Sequence, residues 1–169
     1  GELAADRLGQ LLNGEGRVLL LRYAEGSAST TARETGFLQR MRASFPNVEV
    51  ISSDQYAGAT RETAKRASEN LLNRYGTDID GVFTPNETST DGMLLALQDI
   101  GRVGQVSFVG FDASTSLVTA LRDLLVQRGE IRPRSCHIRF DTDRRFVRLD
   151  GIRNRIGRQK QPSMPSLQC

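Results

Sequence analysis

"LRYAEGSASTTARETGF", Leu21 to Phe37, runs from an apolar stretch into a loop of glycine and small hydroxyl residues, then into a helix with an arginine in its first turns. Strand, small-residue loop and helix N-terminus, in that order, bring backbone amides to a small ligand in α/β proteins. The rest of the chain up to about Arg128 repeats the plan. Leu3, Leu8, Leu11 and Leu12 recur at helical spacing before Gly14 and Gly16 interrupt the pattern. "RVLLLRY" (Arg17 to Tyr23) is a short continuous apolar run, as a strand covered on both faces requires.

Further on, Phe37, Leu38 and Met41 share one side of the helix that opens near Thr30. "VEVIS" (Val48 to Ser52) reads as the second strand, and a helix over about Ala59 to Tyr75 carries Ala64, Ala67, Leu71 and Tyr75 as a stripe. "GVFTPN" (Gly81 to Asn86) is the third strand. Met93, Leu94, Leu97 and Ile100 line a helix that stops at Gly101. "QVSFVGFD" (Gln105 to Asp112) is the fourth strand, followed by a helix bearing Leu117, Leu121, Leu124 and Leu125. Strands alternating with helices at this spacing predict βαβ units and a parallel sheet. Right-handed crossovers then leave chiefly a doubly wound, three-layer α/β/α sandwich.

The chain has 169 residues, 38% hydrophobic and 25% charged, as in an ordinary globular protein with one core. No run approaches the ~20 apolar residues of a membrane span. It opens on Gly1 with no basic-then-apolar leader, so it is expected to be a processed chain or a piece of a longer one, and it carries no readable address. Cys136 and Cys169 lack ligand-like spacing and are too few for a disulfide framework. The net charge of +3 is unevenly spread: residues 132–169 hold nine arginines and one lysine against three aspartates, or +7, leaving 3 − 7 = −4 for residues 1–131.

In an open parallel sheet, ligands sit outside the carboxyl ends of the strands. The positions that follow the strands are therefore the candidates: Gly26, Ser27, Ser29, Thr30 and Arg33 after the first, Asp54, Gln55 and Tyr56 after the second, Asn86 and Glu87 after the third, Asp112 after the fourth. Arg33 offers a fork of donors, Asn86 an amide, Asp112 an acceptor and Tyr56 a flat ring. Carboxylates and amides pair adjacent hydroxyls, a guanidinium donates to others, and a ring packs on C–H faces, so the set suits a neutral polyol. Each residue also has a structural reading. Arg33 can pair with Glu25 or Glu34, Asn86 can cap a helix, Asp112 can bond its own backbone and Tyr56 can pack a loop. Catalysis is poorly served: only His137 titrates near neutrality, and no nucleophile elbow, metal-ligand cluster, P-loop lysine or dinucleotide fingerprint is present. No enzyme activity, cofactor or metal is expected.

"RYAEGSASTTARETGF", "VFTPNETSTDGMLLALQDIG" and "VSFVGFDAS" closely resemble the C-terminal lobe of type I periplasmic sugar-binding proteins, the ribose-binding-like solute receptors of bacterial ABC importers. The resemblance covers about residues 1–123. It implies a flavodoxin-like lobe, one of two that close on a monosaccharide, a ribose-like pentose or a hexose, and deliver it to a membrane permease. It implies a periplasmic location, or an extracellular, lipid-anchored one. It also implies site roles: Arg33 for hydroxyls, Tyr56 (usually Phe in the family) for packing on the sugar, Asn86 at the third strand's end, and Asp112 taking two hydroxyls. On this resemblance the N-terminal lobe of such receptors is expected to be absent from the 169 residues. The alternative carried by the same fold is the effector domain of a LacI-type transcriptional regulator. A small α/β enzyme would need a general base.

The lobe is assigned to residues 1–131 and a basic, arginine-rich tail to 132–169. "GEI" at Gly129 to Ile131 matches a family turn, after which the pattern dissolves; Gln127 precedes that turn and is given no role. The tail is expected to be irregular, with "CHIRF" and "RRFVRLD" forming at most a hairpin and "GRQKQPSMPSLQC" disordered. Out-of-frame translation explains the loss of periodicity better than a nucleic-acid-binding tail, so no nucleic acid is expected as a partner. A four-stranded sheet would then end on an unpaired fourth strand, inviting association. The segment after Pro133 is expected to be loosely packed and open to trypsin.

Overall fold

The computed structural model describes residues 1–76, 78–120 and 146–149. In chain order these form α1 (Glu2–Leu11), β1 (Glu15–Arg22), α2 (Ala28–Ser44), β2 (Asn47–Tyr56), α3 (Arg61–Tyr75), β3 (Gly81–Phe83), α4 (Glu87–Asp99), β4 (Ser107–Phe111) and β5 (Phe146–Leu149), with helical residues over 115–120 between the last two strands. One sheet in the order β2-β1-β3-β4-β5 gathers all five strands. β1 through β4 pair in parallel, and β5 pairs antiparallel to β4.

The apolar run of β1 buries Val18 to Leu21 completely, because alternate residues serve opposite faces. Val18 and Leu20 pack with Ala4, Leu8, Phe37, Met41, Phe83 and Val109 under α1 and α2. Leu19 and Leu21 pack with Ala64, Leu71, Val82, Met93, Leu97 and Phe108 under α3 and α4. Two separate cores, one on each face, make the three-layer α/β/α sandwich that the periodicity predicts. Phe37 and Phe83 stack at 4.4 Å between ring centres, anchoring α2 to the middle of the sheet.

Local chemistry sets the ends of the elements. α1 stops where Asn13 (φ 55°) and Gly14 (φ 82°) turn left-handed, the break that the glycines announce. α3 starts one residue past Thr60, whose hydroxyl accepts from the Thr63 N–H while the Thr63 hydroxyl accepts from the Thr60 N–H. That reciprocal cap satisfies two of the orphan donors of the first turn. Asn86 caps α4 by accepting from the Ser89 N–H.

Three expectations change. β2 runs on through Asp54, Gln55 and Tyr56, because β1 continues to pair with it as far as Arg22↔Tyr56 across two register shifts. Tyr56 therefore closes the strand instead of following it. The fourth strand is not left bare: β5 pairs Phe146 to Leu149 against Phe111 to Phe108. Strand structure thus occurs inside the 132–169 segment, and its partner is β4. The "CHIRF" half of the expected hairpin, the rest of the stretch after Pro133 apart from residues 146–149, Leu121, Leu124, Leu125, Gln127 and "GRQKQPSMPSLQC" all lie outside the described residues.

Candidate functional site

Because β1 to β4 are parallel, Arg22, Tyr56, Phe83 and Phe111 end on one edge of the sheet, and α2, α3 and α4 begin there. Such an edge collects helix N-termini and the short loops joined to them.

Three of the four candidate residues meet around one short stretch, Pro85–Asn86–Glu87. Arg33 reaches it from α2: its Nη1 donates to the Pro85 carbonyl at 2.8 Å. The same guanidinium lies 3.7 Å above the Phe111 ring, a cation–π contact that fixes its plane. Asp112 reaches it from the end of β4, its Oδ2 accepting the Glu87 N–H at 3.1 Å. A carboxylate at the first turn of α4 sits where the helix dipole favours negative charge. Asn86 spends its Oδ1 on α4, accepting from the Ser89 N–H at 3.3 Å and the Ser89 hydroxyl at 2.6 Å. Its side-chain NH2 remains as a donor.

Thr90 stands behind this corner. Its hydroxyl donates to the Asn86 carbonyl at 2.7 Å, shares a 2.8 Å bond with the buried Thr84 hydroxyl and accepts from the Phe111 N–H at 3.3 Å. One buried hydroxyl thereby ties the start of α4 to the ends of β3 and β4. These bonds brace the corner from within the lobe.

Tyr56 reaches the edge by another route. It is 42% exposed, and its ring lies 5.9 Å from the Arg22 guanidinium. Arg22 is held in turn: its Nε donates to the Ser53 carbonyl at 2.6 Å and its Nη1 to Glu34 Oε2 at 2.9 Å. The second oxygen of Glu34 accepts the Tyr23 N–H at 3.1 Å. The sequence reading singled out neither Arg22 nor Phe111. Arg22 sits inside an apolar run and Phe111 inside "GFD", where both pass for strand residues.

Among the described residues, no group of three or more His, Cys, Asp or Glu side chains is disposed to hold a metal, and no helix is long and apolar enough to cross a membrane. His137 and both cysteines lie outside the described residues.

A fork of donors, an amide and a carboxylate fixed at the carboxyl ends of parallel strands is the arrangement in which open α/β sheets present small ligands. Comparison with known proteins gives its family. Residues 1–129 match the model of the periplasmic binding protein domain, and the chain belongs to that family. The family is one of binding domains, not of enzymes. A xylitol-binding protein of Mycolicibacterium smegmatis is 31% identical over 121 residues, which cover 72% of this chain and 33% of that protein. The ribose import binding protein of Haemophilus influenzae is 30% identical over 122 residues, covering 72% and 40%. Among solved structures, the periplasmic component of an ABC-type sugar transport system from Hahella chejuensis is 39% identical with a TM-score of 0.67, over 72% of this chain and 44% of that one. The chain thus spans 33% and 40% of the curated relatives it matches.

Proposed function

We propose that the chain is the C-terminal lobe of a solute receptor that binds a monosaccharide, a ribose-like pentose or a hexose, for an ABC importer. The observation that carries this reading is the convergence of Arg33 and Asp112 on Pro85–Asn86–Glu87. Arg33 keeps further N–H groups for ligand hydroxyls, Asn86 its amide donors, and Asp112 acceptor capacity on its carboxylate. Tyr56 supplies a face for sugar C–H groups. The relatives named above support the ligand class, and they support transport over the effector domain of a LacI-type regulator. In the complete receptor a second lobe closes over the ligand, a membrane permease receives it, and the assembly works in the periplasm or at the outer face of the membrane.

The test is a titration of the isotopically labelled chain with D-ribose, xylitol and a panel of hexoses, followed by amide chemical shifts. Shifts should concentrate at Arg33, Tyr56, Asn86, Glu87 and Asp112. No response to any of these compounds, or a response centred on the opposite edge of the sheet, overturns the reading.

A further inference from the structure

Among the described residues Glu34 is the largest charged side chain in the core, only 2% exposed, and it lies one position beyond the arginine that the site uses. A carboxylate this deep is stable only when paired and fully hydrogen-bonded. Both its oxygens are engaged, one by the Tyr23 N–H and one by Arg22, whose side chain is 22% exposed. Arg22 in turn bonds the Ser53 carbonyl of β2 and flanks the Tyr56 ring. A single buried carboxylate therefore reaches three parts of the ligand edge: the start of the β1–α2 loop through Tyr23, the end of β2 through Ser53, and Tyr56 through the guanidinium.

Two consequences follow from the chemistry. The guanidinium plane is fixed by two donors at 2.6 and 2.9 Å, so the ring beside it has a fixed neighbour. The positive charge of Arg22 is also matched by a buried negative one and is not free to attract an anionic ligand. Arg33, by contrast, is bound to a neutral carbonyl and a ring and keeps its charge.

Resting on the sugar-site reading above, we infer that Glu34 is a positioning and specificity-determining residue: through Arg22 it holds Tyr56 at the ligand edge and cancels a second cationic charge there, so the site takes neutral sugars and excludes sugar acids.

The experiment uses the whole labelled chain, its Glu34→Gln variant, and the Arg22→Gln/Glu34→Gln double variant. The double variant leaves no buried charge unpaired and so guards against a single variant that does not fold. D-ribose and D-ribonate are the neutral and acidic probes. In the sugar-free wild type, the Arg22 Nε–H should exchange slowly and the Tyr56 ring signals should be well dispersed. In Glu34→Gln, exchange should quicken, Tyr56 should lose dispersion, D-ribose binding should weaken roughly tenfold, and D-ribonate should gain a response. The double variant should lose D-ribose binding to a similar degree without gaining D-ribonate, since it lacks the Arg22 charge that Glu34→Gln unmasks and keeps only Arg33, as the wild type does. A Glu34→Gln protein that folds, keeps the Tyr56 signals in place and prefers D-ribose as the wild type does overturns the inference. Should the wild type answer to no sugar at all, the sugar-site reading falls. The Arg22 and Tyr56 signals of the sugar-free proteins still decide whether Glu34 positions them, and unmoved signals sink the inference by themselves.

Discussion

Asp112 stands at φ 72°, a left-handed backbone that costs most residues about 1 kcal/mol and that Asp and Asn tolerate better. Its Oδ2 accepts the first amide of α4. The residue thus carries a structural task and a proposed ligand task together, and substitutions can separate them. Asp112→Gly relieves the backbone while removing the carboxylate, so it should leave the urea midpoint nearly unchanged. Asp112→Ala keeps the backbone cost and loses the bond to Glu87, for a loss of about 1–2 kcal/mol in stability. In a two-lobe version of the receptor both should lose ~2–5 kcal/mol of sugar affinity by calorimetry, since partner groups are left unpaired. Unchanged affinity in both variants removes Asp112 from the site. What the sequence shows at this scale is residue type, not partner. Arg33 next to Glu34 suggests an ion pair, but adjacent helical residues point about 100° apart and do not face each other. Arg33 instead crosses to the Pro85 carbonyl, 52 positions away, and Glu34 turns inward to Arg22. Asn86 takes its cap role and still lies at the meeting point, so the structural and functional readings of that residue were never exclusive.

Elements were legible wherever burial is one-sided or complete. The continuous run of β1 and the helical stripes of α3 and α4 each have a single arrangement that buries them, and the three layers follow. The end of β2 was not legible, because "SDQY" is polar and only its ladder with β1 makes it strand. Two glycines inside elements were equally silent, and they carry the next prediction. A Cβ on Gly110 in β4 would stand 2.4 Å from Thr90 Cγ2 and 2.9 Å from its hydroxyl. Gly110→Ala must push Thr90 aside and disturb its bonds to the Asn86 carbonyl and the Phe111 N–H, at a cost of roughly 1–3 kcal/mol. A Cβ on Gly92 in α4 would stand 2.6 Å from the Ala64 carbonyl carbon and the Lys65 nitrogen, which are backbone atoms of α3. Backbone cannot step aside as a threonine side chain can, so α3 and α4 would have to separate. Gly92→Ala should therefore destabilise more than Gly110→Ala in chemical denaturation, despite the ~1 kcal/mol by which alanine is the better helix former. The reverse order would show that the helix pair yields more readily than the Thr90 corner. Gly110→Ala should also shift the amide signals of Glu87 and Asp112, whereas Gly92→Ala should shift chiefly those along the α3–α4 seam.

At the scale of the molecule, the site as described is one wall, and one wall buries too little of a small ligand for tight binding. The chain alone should bind sugars only in the millimolar range, within reach of an amide-shift titration, and a micromolar constant by calorimetry would overturn the two-lobe reading. The same scale holds the largest departure from the sequence reading, the antiparallel β5 beside β4. The strand lies within "RRFVRLD", read as half of a hairpin, and what stayed hidden is its partner, because a four-residue strand leaves too short a pattern to show which edge it joins. Its backbone covers what would otherwise be an open row of donors and acceptors along Phe108 to Phe111. A chain ending at Ile131 should therefore expose the β4 edge and self-associate with rising concentration in sedimentation velocity. Charge works against that outcome, which makes the test sharper: removing residues 132–169 takes the net charge from +3 to −4, a slightly larger magnitude that favours separation. Association on truncation would thus be caused by the bare edge and not by lost repulsion. Val147→Pro and Arg148→Pro in the full chain isolate the ladder from the rest of the tail, since neighbouring strand residues alternate between bonding towards β4 and away from it. One of the two should lower the urea midpoint by about 1 kcal/mol and promote association, and the other should do markedly less. If truncation and both prolines leave the chain monomeric with an unchanged midpoint, β5 contributes nothing to the sheet and β4 is its working edge.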